Sequence, residues 1–210
     1  MTGRNLVVDV LVSNLAGHKL PTAYPSRRVW LHVKVSDSAG RVVFESGASR
    51  ADGAIAGNDN DSDASRYEPH YDAIESVDQV QIYEPILVDA RDRVTTGLLS
   101  AIRYAKDNRI LPTGFDKRSA GEDIAVQGDA AGDENFVGGS DRVQYRIPLP
   151  GGGGSLTFEA RLLYQAIGFR WAENLRAYDS PETKRFARYY EGSATSAAEQ
   201  LAVAERSVDY

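Results

Sequence analysis

The sequence predicts a mainly β protein: an antiparallel β-sandwich, Ig-like or jelly-roll-like, with long loops and a C-terminal helical extension. Three observations carry this. Short stretches alternate between apolar and polar residues, clusters of Gly, Asp, Asn and Ser separate them, and helix-forming patterns gather after Gly168. The division that follows is a sandwich domain at residues 1–168 and a helical extension at 169–210, packed on or beside it.

Taken in order, Leu6 to Leu15 is apolar on both faces at several positions, which predicts an interior strand. Val29, Leu31, Val33 and Val35 then alternate with Trp30, His32 and Lys34, a strand of period two. Asp37-Ser38-Ala39-Gly40 is a turn signal joining it to Arg41–Glu45 as a β-hairpin. Residues 47–73 lack periodicity and read as a long surface loop. Structure resumes over Val77–Val88, where Pro85 points to an edge or bulged strand. Val94–Tyr104 fits either a helix capped by Thr95 or Thr96 or a strand. Residues 107–140 are mostly loop. Arg142–Leu149 and Leu156–Ile167 are well-patterned strands joined by a Gly-rich hairpin connection. Beyond Gly168, Trp171–Tyr178 and Lys184–Glu191 read as helical, the second opened by Ser180 as cap and Pro181 at the first position. An Ala- and Glu-rich amphipathic stretch, Ser196–Ser207, follows in the same helical region.

At 210 residues the chain can bury one sizeable core, and 42% hydrophobic with 26% charged residues in a mixed pattern suits a soluble globular domain. A net charge of −6 argues against nucleic acid as a partner, because phosphate binding needs concentrated positive surface. The chain contains no cysteine, which excludes disulfides, thiolate metal sites, a cysteine nucleophile and covalent haem attachment of its own. It shows neither a signal peptide nor an apolar run long enough to span a bilayer. Met1-Thr2-Gly3-Arg4 leads almost at once into a strand, so the expectation is a domain from a longer exported protein.

Most functional information lies in Gly17-His18-Lys19-Leu20-Pro21-Thr22-Ala23-Tyr24-Pro25-Ser26-Arg27-Arg28. Two prolines stiffen this loop, and the strand behind it presents His18, Tyr24, Arg27 and Arg28 at one end of a sheet. Asn14, Gly17-His18, Pro21-Thr22 and the Val29–Val35 strand, with Val80-Gln81-Ile82-Tyr83-Glu84, Lys106-Asp107-Asn108-Arg109-Ile110-Leu111-Pro112 and Leu162-Leu163-Tyr164-Gln165, resemble the haem-free β-domain that follows the CxxCH segments of bacterial multihaem cytochromes c. Ala23 departs from that pattern, which has a Gly after Pro-Thr. The resemblance implies a non-catalytic scaffold and docking domain for electron transfer, in a periplasmic or extracellular parent whose other segments carry haem c. Its partners would be that haem-bearing domain and a redox protein.

Within this frame His18 is a candidate distal haem ligand, or else a loop histidine whose ring holds backbone carbonyls. Tyr24, Arg27 and Arg28 are candidate haem contacts, the arginines toward propionates or toward the chain's own acids. His18, His32 and His70 have a spacing that matches no copper or zinc motif. Asp59, Asp61 and Asp63 place oxygens at alternate positions, as calcium prefers, and Asp129, Asp133 and Asp141 form a second acidic loop. Solvated loops that use Asp and Asn as turn formers are the favoured reading of both. A nucleophile elbow, a P-loop, a dinucleotide fingerprint and HExxH are all absent, so the sequence gives no positive sign of catalysis. The alternative from another class is a calcium-supported carbohydrate- or surface-binding sandwich.

Overall fold

The computed structural model describes residues 5–149 and 151–210. The expected lead-in at Met1–Arg4, and Pro150 of the Gly-rich connection, lie outside the described residues. The first layer of the sandwich is β1 (Asn5–Ser13) antiparallel to β9 (Ser140–Pro148), with the short β4 (Ala73–Ile74) parallel on the other side of β9. The second is ordered β11 (Ala198–Asp209), β10 (Ser155–Gln165), β2 (Arg28–Asp37), β3 (Val42–Ser46), with β5 (Ile82–Tyr83) also paired to β2. A smaller sheet joins β7 (Val94–Thr95), β6 (Pro85–Asp89) and β8 (Ala101–Asp107).

Alternation in β2 builds two cores at once. Val29, Leu31, Val33 and Val35 face the main core with Val143, Tyr145 and Ile147 of β9 and Leu156, Phe158 and Ala160 of β10. Tyr145 meets Phe44 and Phe158 edge-on, at 6.3 and 5.9 Å, and so stitches the two layers together. On the opposite face Trp30 packs with Ile55, Val80, Ile82 and Leu163, its indole N–H donating to the Gly47 carbonyl at 2.9 Å. The hairpin turn forms as expected: the Asp37 carboxylate accepts from the amides of Ala39 and Arg41, and Gly40 takes φ 78.

Several expectations change. β1 is an edge strand, not an interior one, and its outer residues Val7 and Leu11 are exposed. The 47–73 loop, which carries the one-turn helix α1 (Asp59–Ser62), does not lie loosely on the surface: Ala54, Ile55, Asn58, Asn60, Asp61, Glu68 and His70 are buried, Ile55 against the second core and His70 against Phe136 of the first. β9 and β10 lie in different sheets and do not pair, so the expected hairpin does not form. Val94–Tyr104 splits into β7 and the start of β8 around a turn at Gly97–Ser100. The helices α2 (Phe169–Leu175) and α3 (Pro181–Ser193) are present, and the Ser180 hydroxyl caps α3 by accepting from the Thr183 amide at 3.2 Å. Their sequel is not helical. Residues 198–209 pair along the whole of β10, Ser155 opposite Asp209 and Gln165 opposite Ala198, since ladder pairing outweighs the helix propensity of Ala and Glu. The chain therefore leaves the sheet for two helices and comes back to it.

Candidate functional site

The Gly-His-Lys loop is anchored by Asn14. Its side-chain amide donates to the carbonyls of His18 (2.8 Å) and Ile110 (2.9 Å), and its oxygen accepts from the Ala16 amide. Leu20 and Ile110 exchange both backbone hydrogen bonds, and Lys19 pairs with Asp107, which also binds Arg109. Two of the stretches that carry the resemblance are thus one contact surface. Ala23 has φ 63, the left-handed region where glycine sits freely, which gives the expected Gly at that position a physical reason.

His18 is exposed, its Nδ1 only 3.1 Å from the Lys19 carbonyl. Arg27 donates to the Thr22 carbonyl. Tyr24, half exposed, stands edge-on to Trp171 at 5.5 Å, and both rings line a cleft of about 700 Å³ with Ser26, Thr95, Asn174 and Phe186. Arg28 does not belong to this surface. Buried to 3% exposure, it donates from Nη1 to both Asp61 oxygens (2.8 and 2.9 Å), from Nε to Gln165 and from Nη2 to the Gly53 carbonyl. Burial works against its charge, but Asp61 outweighs burial and holds the guanidinium pKa above its usual value. Arg28 therefore serves the fold: four of its five N–H donors are taken and the side chain is buried away from any propionate.

The first acidic loop does not converge on a cation. Asp61 is committed to Arg28 and the Ile55 amide, Asp59 pairs with Arg66, and Asp63 accepts from the Ser65 amide and hydroxyl. Each oxygen set closes a turn or an ion pair instead. The three histidines are also apart: His32 pairs with Glu45 across β2 and β3, while His18 stays in its loop.

The second acidic group does converge, and on the third histidine. His70 from the long loop, Asp133 from the loop before β9 and Asp141 of β9 bring one nitrogen and two carboxylate oxygens within 4.8 Å of one another, the one such group among the described residues. His70 Nε2 lies 3.1 Å from Asp133 Oδ2 and 3.8 Å from Asp141 Oδ1. Asp141 is fully buried, and its Oδ2 accepts from the Tyr83 hydroxyl (2.7 Å) and the Gln81 amide (3.2 Å). Asp129 lines the same polar cleft as His70 and Asp133, beside Asp72 and Glu134. Burial pushes the Asp141 carboxyl above the usual carboxylate range despite those donors. Burial acts the same way on Asp133, yet hydrogen bonds from His70 and the Asn135 amide hold it below that range. Sequence reasoning grouped Asp133 and Asp141 with Asp129 in one acidic loop but did not join His70, Gln81, Tyr83 or Asn108 to them. The available signal was polar Gln81 inside the apolar run Val80–Tyr83.

No protein-family model matches this chain, and no curated protein does. Among solved structures it is similar to a penta-haem cytochrome c552 from Thermochromatium tepidum, with a TM-score of 0.54 and 16% identity. The match covers 98% of this chain and 36% of that one, so this chain spans about a third of the cytochrome. At this identity the likeness is one of fold.

Proposed function

We propose that this chain is the haem-free β-domain of an exported multihaem c-type cytochrome, serving as scaffold and docking surface for electron transfer without catalysis of its own. The observation that carries the reading is that nearly the whole chain superposes on about a third of a penta-haem cytochrome. A chain without cysteine complements it, since the thioether-linked haems must then sit elsewhere in the parent. On this reading the parent works in the periplasm or outside the cell, and the partners are its own haem-bearing segment and a redox protein. The loop of His18, Tyr24 and Arg27 faces the haems, and the exposed imidazole of His18 supplies a distal ligand. The competing calcium-supported surface module loses one of its two ligand sets, because Asp61 is committed to Arg28.

The test uses the parent polypeptide from its source cells. Covalent haem on the same polypeptide, assayed as the pyridine haemochrome, is the expected result, while the isolated chain is colourless and redox-silent. Replacing His18 by Ala turns one low-spin iron five-coordinate or water-ligated and moves one reduction potential, whereas replacing His32 does neither. A parent without attached or co-purifying haem overturns the reading. Unaltered spin states in the His18 variant overturn only the ligand assignment.

A further inference from the structure

The acidic cluster holds two carboxylates that no lysine or arginine among the described residues contacts directly. Asp133 and Asp141 are both buried or nearly so, with side-chain exposures of 8% and 0%. Among the described residues neither forms an ion pair with a lysine or arginine. Lys117 donates to the backbone carbonyls of Ala130 and Asp133, close enough for its charge to act on both carboxylates but in ion-pair contact with neither. Two carboxylates held together away from water need a positive charge beside them. One acceptor is conspicuous: Asp141 Oδ1 is buried, points toward His70 and Asp133, and receives no hydrogen bond from any described residue.

Two amides decide what His70 contributes. The Asn108 oxygen accepts from the Glu84 amide (3.0 Å) and its nitrogen donates to the Ile82 carbonyl (2.8 Å), so neither end can be exchanged. The Gln81 oxygen accepts from the Tyr71 amide (2.8 Å) and its nitrogen faces Asp141. Both amide nitrogens then point at His70 Nδ1, from 2.8 and 3.1 Å. Nδ1 is therefore the bare acceptor, and the ring proton sits on Nε2, donated to Asp133. An imidazole that ligates through Nε2 needs a proton on Nδ1 and an acceptor to receive it, the reverse of this arrangement.

We propose that Asp141 and Asp133 bind a hard divalent cation of the calcium class, with His70 as the hydrogen-bonding group that positions Asp133 and not as a ligand. Carboxylate oxygen is the donor such ions prefer, and the cation gives Asp141 Oδ1 its missing partner. Water completes the coordination, and the adjoining cleft, where Asp72, Asp129 and Glu134 outnumber Arg142, provides the entry path. A zinc-class ion would have to take the Nε2 proton and leave Nδ1 facing two N–H groups. The inference does not depend on the haem reading.

Terbium is the probe, because it occupies calcium sites and its emission is sensitised by a nearby phenol, here Tyr83 bound to Asp141. Titrating the isolated chain gives saturable emission that calcium displaces. Asp141→Asn preserves the acceptor for Tyr83 yet lowers affinity at least tenfold, with an unchanged circular dichroism spectrum. Asp133→Asn, at the cleft, repeats the loss should the buried variant fold poorly. His70→Gln, which keeps an N–H donor, weakens binding by roughly tenfold, the scale of losing a group behind a ligand. Absent sensitised emission, or equal emission from both aspartate variants and the wild type, overturns the site. Zinc bound in preference to calcium, and abolished in His70→Gln, overturns the assignment of His70.

Discussion

Replacing Asp61 by Ala tests the division of labour between the two acidic loops. In the folded protein the Arg28 and Asp61 side chains are only 4% and 2% exposed, so the change leaves a guanidinium buried with Gln165 and the Gly53 carbonyl as its remaining partners. It also strips the Ile55 amide of its acceptor. Breaking a buried ion pair from one side costs about 3–5 kcal/mol. For a chain of this size that is a fall in Tm of roughly 6–20 °C, at about 2–4 °C per kcal/mol. Urea unfolding followed by circular dichroism measures it. Asp59→Ala is the control, since its pair with Arg66 is largely solvated and worth under about 1 kcal/mol. Converting both partners to apolar residues, Arg28→Met with Asp61→Leu, recovers most of the loss because no orphan charge remains. Terbium binding survives in every one of these variants that folds. A loss no larger for Asp61→Ala than for Asp59→Ala would refute the assignment of Asp61 to the fold.

Acid stability depends on Asp107. Burial raises its carboxyl pKa, but Arg109 and Lys19 outweigh burial and hold it below the ordinary value, so its stabilisation is fully present above the unfolded pKa and is lost as pH falls through the depressed folded one. Asp107→Asn flattens the acid limb of Tm against pH, and an unchanged limb counts against the Lys19–Asp107–Arg109 group as its source. Gly47→Ala tests the roof over Trp30: with φ +77, and a Cβ that would sit 2.4 Å from the Leu31 carbonyl oxygen, it loses about 2 kcal/mol or more in a urea titration. A loss under about 0.5 kcal/mol, the scale of an ordinary surface change, refutes that packing.

The sandwich was legible wherever one face of a strand meets the core and the other does not. β2 and the Asp37–Gly40 turn came directly from period and turn chemistry, and the start of α3 from its cap. What escaped is non-local. Asp59, Asp61 and Asp63 look like ligands at alternate positions until Arg28, distant in sequence, takes the middle one. His70 looks like an unremarkable loop histidine until the fold brings it to Asp133, Asp141, Gln81 and Asn108. Ser196–Ser207 carries helix formers on a segment whose fate is set by the free edge of β10. A local pattern reports what a segment can do, and partners of remote origin select among those options.

The return of β11 to β10 makes residues 166–197 an excursion inserted at the top of a β-ladder, with Gln165 and Ala198 directly opposed at its base. Its two feet stand one strand spacing apart, roughly 5 Å. That is the gap a tight turn bridges, so the ladder itself does not require the helical cassette, which Arg170 and Thr195 tie to the carbonyls of Asn60, Asp61 and Ala51. Trp171, Asn174 and Phe186 belong to the cassette, while Tyr24 and Ser26 belong to the scaffold. The cleft is therefore built half by the cassette and half by the scaffold, with Asn174 hydrogen-bonded to Thr96 across it. The His70 cluster is drawn from the scaffold alone: the long loop, β9 and the loop before it.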